Sequence, residues 1–190
     1  MSASSVRPLR ADARRNRELL LEAAVRAFTA DGPDAALDAV AKDAGVGIGT
    51  LYRHFPTREA LVEAAYRSEV DRLCNRAPEL LATEPADAAL RSWMTGFLDY
   101  LATKRAMVDA LRSLIAAGGN PYAHTRDRLL ETLTTLLAAG AAQGTVRADV
   151  EPGDVLATLS GVSLTAGAPD QRDQAGRMLD LLMDGLRARS

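Results

Sequence analysis

A single cysteine, Cys74, stands among the 190 residues, so an internal disulfide is excluded. That usage fits a reducing compartment. Aromatic residues are scarce, at 4 %. No apolar run approaches the roughly 20 residues that a membrane-spanning helix needs. The N-terminus shows no basic region followed by an apolar block and a cleavage site, the marks of a secretory signal. A cytoplasmic protein without membrane segments is therefore expected. No stretch alternates apolar and polar residues for long enough to make a strand. HExxH, CxxC, GxSxG and Gly-rich phosphate loops are all missing, and His54 and His124 lie far apart on different elements. Nothing argues for catalysis, a metal or a cofactor, and none is expected.

Nor does one sign of charge dominate. The net charge is −2, and a global basic field that would advertise nucleic acid is absent. The distribution is more telling. Residues 1–58 hold nine Lys/Arg against seven Asp/Glu, whereas the remainder holds fourteen against eighteen. Five of the nine are Arg7, Arg10, Arg14, Arg15 and Arg17. A basic arm on a mildly acidic protein is the asymmetry of a DNA-binding end. A disordered solubilising tail would carry the same charges.

What the chain does have is alanine and leucine at helical spacing. Residues 1–13 show no apolar period and read as a mobile arm. From Arg14 on, Leu20, Ala23, Ala24, Ala27 and Phe28 form a stripe that Asp31-Gly32-Pro33 stops. A second helix is expected from Leu37 to Ala44 and a third over 48–54. Thr57 caps a fourth, which Pro78 should bend or interrupt. Pro85 should open the fifth at a first-turn position. Further helices are expected over 105–117, 123–143, 152–165 and from Asp170 on, with an extended connector over 145–149. The expected architecture is all-α, with about nine helices: an arm (1–13), a three-helix helix-turn-helix unit (14–56) and a larger helical domain (57–190).

The third helix sorts its residues by face. Leu51 and Phe55 fall together and face a small core. Thr50, Arg53 and His54 stand at i, i+3 and i+4 on one polar face. A helix this short needs its neighbours to survive. Gly49 lets backbone approach a DNA strand closely. The hydroxyl of Tyr52 suits a phosphate oxygen. Arg58 adds a cation in the first turn of the fourth helix, where exposed N–H groups already favour phosphate.

The segments LLLEAAVRAF, the DG stop, LDAVAKDAGV and GTLYRHFPTREAL, within residues 14–66, together resemble the TetR/AcrR family of bacterial transcriptional regulators. Beyond residue 66 the likeness rests on helix count and on the connector GTVRADVEPGDV. The resemblance implies a DNA-binding domain, a helical ligand-binding domain and a homodimer. It places the DNA-facing residues at Gly47, Ile48, Gly49, Thr50, Tyr52, Arg53, His54 and Arg58. Of these, Thr50, Tyr52 and His54 would mostly touch phosphates, while Arg53 and Ile48 would read bases. The chain departs from the family pattern at two caps. Ala36 stands where Ser or Thr usually caps the second helix, leaving Asp34 as a substitute. Gly47 often has Ser as its counterpart.

In the larger domain a small-molecule cavity would be lined by Trp93, Phe97, Tyr100, Met107, Leu111, Tyr122 and Leu133, with Arg112, His124 and Arg126 as polar anchors. Ordinary core packing would use the same apolar residues. Leu156, Leu159 and Val162, then Leu179, Leu182, Met183 and Leu186, suggest a helix pair at a two-fold dimer interface. The expected function is a ligand-responsive regulator, most simply a repressor that a small molecule releases from a duplex operator. A helical binding protein or enzyme with a structural N-terminal unit is the alternative.

Overall fold

Each apolar stripe needs a partner surface, and nine α-helices supply them among the described residues of a computed structural model. It describes the backbone of residues 6–188 and the side chains of residues 11–168 and 170–188. The helices are α1 (Val6–Asp31), α2 (Leu37–Asp43), α3 (Ile48–His54), α4 (Arg58–Thr83), α5 (Ala86–Ala106), α6 (Val108–Ala116), α7 (Thr125–Ala142), α8 (Pro152–Thr165) and α9 (Arg172–Leu186). A 3₁₀ turn, Gly32–Asp34, joins α1 to α2, and another, Pro169–Gln171, precedes α9. No helix among these residues is long and apolar enough to cross a membrane.

Several boundaries differ from those expected. Helix α1 starts at Val6 rather than Arg14, so part of the expected arm is helical; residues 1–5 lie outside the described residues. Arg, Leu and Ala, five of the eight residues over 6–13, are good helix formers, and propensity carries the turns that no apolar stripe marks. Pro78 does not interrupt α4, which continues to Thr83. The ring is solvent-exposed, and one missing N–H bond there is tolerated within a 26-residue helix. Pro85 sits just before α5 and its carbonyl accepts from the Ala89 N–H at 2.8 Å, so it is a cap and not a first-turn residue. The connector after α7 pairs with the chain's end: the Arg147 N–H donates to the Leu186 carbonyl at 2.9 Å and the Ala188 N–H to that of Thr145 at 3.2 Å.

The chain divides into two units, one holding the residues up to Ser68 with Thr103–Pro121, the other Glu69–Ala102 with the residues from Tyr122 on. This does not follow the expected division at 56/57. In the first unit Leu20, Phe28, Val40, Leu51, Leu61 and Tyr66 share a buried core with Leu111 and Leu114 of α6 and with Met107 at its N-cap. Helix α6 packs on the turn Gly32–Asp34, and so belongs with the first three helices. In the second unit Trp93 is fully buried and stacks on Phe97 at 5.8 Å between ring centres, with Tyr100 next in line at 5.9 Å from Phe97. Leu90, Leu133, Leu136, Leu159 and Leu179 complete that core.

Candidate nucleic-acid interface

Helix α2 ends where the sequence offers a residue that accepts the left-handed region. Gly45 has φ 69°, its N–H donates to the Lys42 carbonyl at 3.1 Å, and the Val46 N–H donates to that of Ala41 at 2.9 Å. These two bonds close the helix and turn the chain sharply. Two residues later α3 begins, with Gly47 as its N-cap and no side-chain cap bond. Ala36 before α2 likewise gives none. Asp34, expected to substitute, lies in the 3₁₀ turn and makes no such bond. Thr57 performs as expected: its Oγ1 accepts from the Ala60 N–H at 3.1 Å.

A seven-residue helix with a poor cap is held from beneath. Leu51 and Phe55 are buried. The Arg17 guanidinium lies 5.4 Å from the Phe55 ring centre, a cation–π contact that ties α1 to the end of α3. Arg26 bridges α1 to α2 through Asp43 at 2.8 Å.

What remains of α3 points outward. Ile48 is 37 % and Tyr52 49 % exposed. Gly47, Gly49 and Arg53 are exposed, and Thr50 and His54 are half-buried. A Cβ built at Gly47 or Gly49 would meet nothing within 4 Å. Arg53 is folded along its own helix, its Nε donating to the Gly49 carbonyl at 3.1 Å and its Nη2 to the Thr50 Oγ1 at 3.4 Å. Both bonds are local and exposed, so the guanidinium can exchange them for an outside acceptor at small cost.

Arg58 differs from the rest of the expected DNA-facing set. It is half-buried, and its Nη1 donates to the carbonyls of Pro33 at 2.8 Å and Ala35 at 2.7 Å. Sequence spacing gave no hint of this, because the acceptors lie 25 and 23 residues earlier.

The expected ligand-lining residues divide between the units. Met107 and Leu111 are core of the first, and Arg112 is exposed there, facing Asp109 at 3.4 Å. Trp93, Phe97, Tyr100 and Leu133 are core of the second. The Trp93 indole N–H donates to the Leu73 carbonyl at 3.1 Å. Tyr122, His124 and Arg126 are exposed. His124 adopts φ 61°, uncommon for a residue with a side chain, and stands 4.0 Å from Asp127. Cys74 is buried, which pushes its thiol pKa up, partly offset by a hydrogen bond with Thr132. An uncharged buried thiol is inert packing.

Among the described residues, two hollows bear on the expected ligand site. One of about 20 Å³, room for about one water, lies in the first unit between Pro33, Arg58, Glu59, Val62, Ala110, Ser113 and Leu114. The other, a cleft of about 270 Å³ in the second unit, is bordered by Asp87, Ala88, Arg91, Asp180, Met183, Asp184 and Arg187. Its arginines are already paired, Arg91 with Asp180 and Arg187 with Asp184. Neither hollow contains any of the expected ligand-lining residues.

The expected dimer residues also divide. Leu156, Leu159, Leu179 and Leu186 are buried within the chain itself, while Leu182 and Met183 are half-buried. Among the described residues of α8 and α9, the large apolar side chains left in solvent are Leu164, at 83 %, and Leu181, at 71 %. Sequence spacing could have found the second stripe: Met178, Leu181, Leu182 and Gly185 also follow i, i+3, i+4, i+7.

Comparison with known proteins agrees with this geometry. Residues 20–65 match the family described as bacterial regulatory proteins, tetR family. Residues 84–188, more than half of the chain, match the C-terminal domain described as transcriptional regulator SbtR-like. The crystal structure of a TetR transcriptional regulator from Streptomyces coelicolor is 52 % identical, covers 92 % of this chain and 99 % of that one, and superposes with a TM-score of 0.87. A TetR regulatory protein from Mycobacterium vanbaalenii is 38 % identical, covers 95 % and 100 %, and has a TM-score of 0.77. A helix-turn-helix transcriptional regulator of Staphylococcus aureus is 29 % identical over 113 residues, which span 59 % of this chain and 60 % of that protein. TetR family regulators are non-enzymatic, and membership of the family implies binding to a DNA operator and typical dimerisation. The chain belongs to the TetR family of bacterial DNA-binding transcriptional regulators.

Proposed function

We propose that this chain is a cytoplasmic, homodimeric repressor that a small molecule releases from its operator. The outward face of α3 carries the reading. In it Thr50, Tyr52 and His54 hold phosphates, Arg53 and Ile48 read base edges in the major groove, and Gly47 and Gly49 let the backbone approach a strand. Arg53 bonds bidentately to a guanine, and Ile48 meets a thymine methyl. Two copies are needed because recognition helices must reach half-sites about 34–36 Å apart. The surplus apolar surface of α8 and α9 supports such pairing: Leu164 and Leu181 have no use in a monomer exposed to water.

Release works as a population shift. An effector that binds one spacing of the two recognition helices better than the other shifts the dimer by that difference in affinity and no more. Trp93, Phe97 and Tyr100 of the second unit are the expected lining for such a molecule; all three are buried, so they admit one only by repacking.

Selection of duplexes from a random pool, followed by gel shifts over a salt series, tests the DNA reading. One enriched sequence, ideally with two-fold symmetry, and a steep fall of affinity with salt are expected. A pool that stays random through repeated rounds would sink it. Repression is tested in cells: transcripts from a promoter carrying the selected sequence should rise when the gene is deleted, and a fall would mean activation.

A further inference from the structure

The start of α2 has two weaknesses, and one distant side chain corrects the second of them. Ala36, at its N-cap, is exposed with φ −72° and ψ 121° and has no side-chain oxygen to accept from the first turn. Just before it, the carbonyls of Pro33 and Ala35 point to the same place, and Ala35 is buried. Buried carbonyls need donors. Arg58 supplies both bonds from one nitrogen, reaching back from the first residue of α4. From the other side, Ala110 and Leu114 of α6 close the same small hollow against Pro33 and Arg58. The turn is thus hydrogen-bonded from α4 and packed from α6.

We infer that Arg58 is a positioning residue for DNA reading: its bonds to the Pro33 and Ala35 carbonyls fix the entry of α2, and through α2 the angle of α3, at a helix start where Ala36 gives no side-chain cap. This rests on the reading above that α3 enters DNA. It departs from the role that the family resemblance implied for Arg58, a phosphate contact. The two roles differ in measurable ways. A phosphate contact contributes about 0.9 to the slope of log affinity against log salt. A positioning residue leaves that slope unchanged, and its loss is repaired by mending what it positioned.

The test uses the full chain and the duplex that the wild-type protein enriches from a random pool. Arg58→Ala, Arg58→Lys and each combined with Ala36→Ser are compared at a temperature where circular dichroism shows full helicity. Arg58→Ala is expected to lose about tenfold in affinity with an unchanged salt slope, and Ala36→Ser, which holds the same helix start by other bonds, accepting from its first-turn N–H groups, is expected to recover part of it. Arg58→Lys keeps the charge, but its nitrogen stands one bond nearer the backbone than Nη1 and falls short of the two carbonyls; it too should lose affinity and recover in part with Ala36→Ser, which covers the case in which Arg58→Ala fails to fold. A slope shallower by about 0.9 per removed contact, wild-type binding by Arg58→Lys, or no recovery with Ala36→Ser would each overturn the inference. A merely structural role would lower the melting temperature but leave the affinity of the folded variants unchanged, and that outcome overturns it as well. Should the wild-type protein enrich no duplex, the DNA reading falls first, and this inference with it.

Discussion

Helices α3 and α5 both carry aromatic side chains, yet Tyr52 is 49 % exposed while Trp93, Phe97 and Tyr100 are at most 5 % exposed. On α5 the contacts are already made: rings stack on rings, and the Trp93 indole N–H has its carbonyl. On α3 they are not. Tyr52 projects into solvent, and Arg53 bonds only to groups one turn back on its own helix. The same residue types therefore stabilise the chain in one place and stand in solvent in the other. An aromatic residue says little about function until its burial is known.

The contrast breaks most visibly at Trp93. Trp93→Ala removes a fully buried ring and the indole N–H bond to the Leu73 carbonyl. A loss of about 3–5 kcal/mol in urea unfolding, followed by circular dichroism, is expected. A loss under about 1 kcal/mol would mean that the ring borders a hollow and not a packed core.

Gly140 sharpens the same point with one methyl. A Cβ there would stand 2.5 Å from Val146 Cγ2 and 2.9 Å from its Cβ. Alanine ordinarily favours a helix interior over glycine by about 1 kcal/mol. Here overpacking should win, and Gly140→Ala should destabilise by about 1–3 kcal/mol in the same unfolding experiment. A gain in stability would show that Val146 yields freely.

On α3 the expected signs change. Arg53→Ala should shift folding stability by less than about 0.5 kcal/mol. It should cost about 1–3 kcal/mol of discrimination between the selected duplex and one altered at a single base pair. Equal weakening on every duplex would remove base reading from Arg53.

The same contrast explains which parts of the chain were legible. Leu51 and Phe55 separate from Thr50, Arg53 and His54 within a single turn, so the face of α3 can be read from spacing alone. The Thr57 cap and the opening of α8 at Pro152 are equally local. Long-range packing was not legible. Nothing near Arg58 announces carbonyls more than twenty residues earlier, and nothing in α6 announces that it packs on the turn after α1. The i, i+3, i+4, i+7 stripe of Leu179, Leu182, Met183 and Leu186 was visible, but periodicity cannot tell a stripe that faces the chain's own core from one that faces a second copy. Leu179 and Leu186 went inward, and Leu181, one position off the stripe, stayed out.

Gly49 offers the smallest change and the sharpest test of the comparison. Unlike Gly140, it has open space where a Cβ would stand, and its backbone is ordinary helix. Gly49→Ala should therefore stabilise the free protein by about 0.4–1 kcal/mol, chiefly by restricting the unfolded chain. If the recognition helix meets a DNA strand there, the same methyl occupies the space through which the backbone approaches, and affinity for the selected duplex should fall. A melting temperature that rises while binding weakens would show that the open space on α3 is kept for a partner. A rise in both would make Gly49 an ordinary weak point in a short helix, and would leave the outward face of α3 to Tyr52, Arg53 and Ile48.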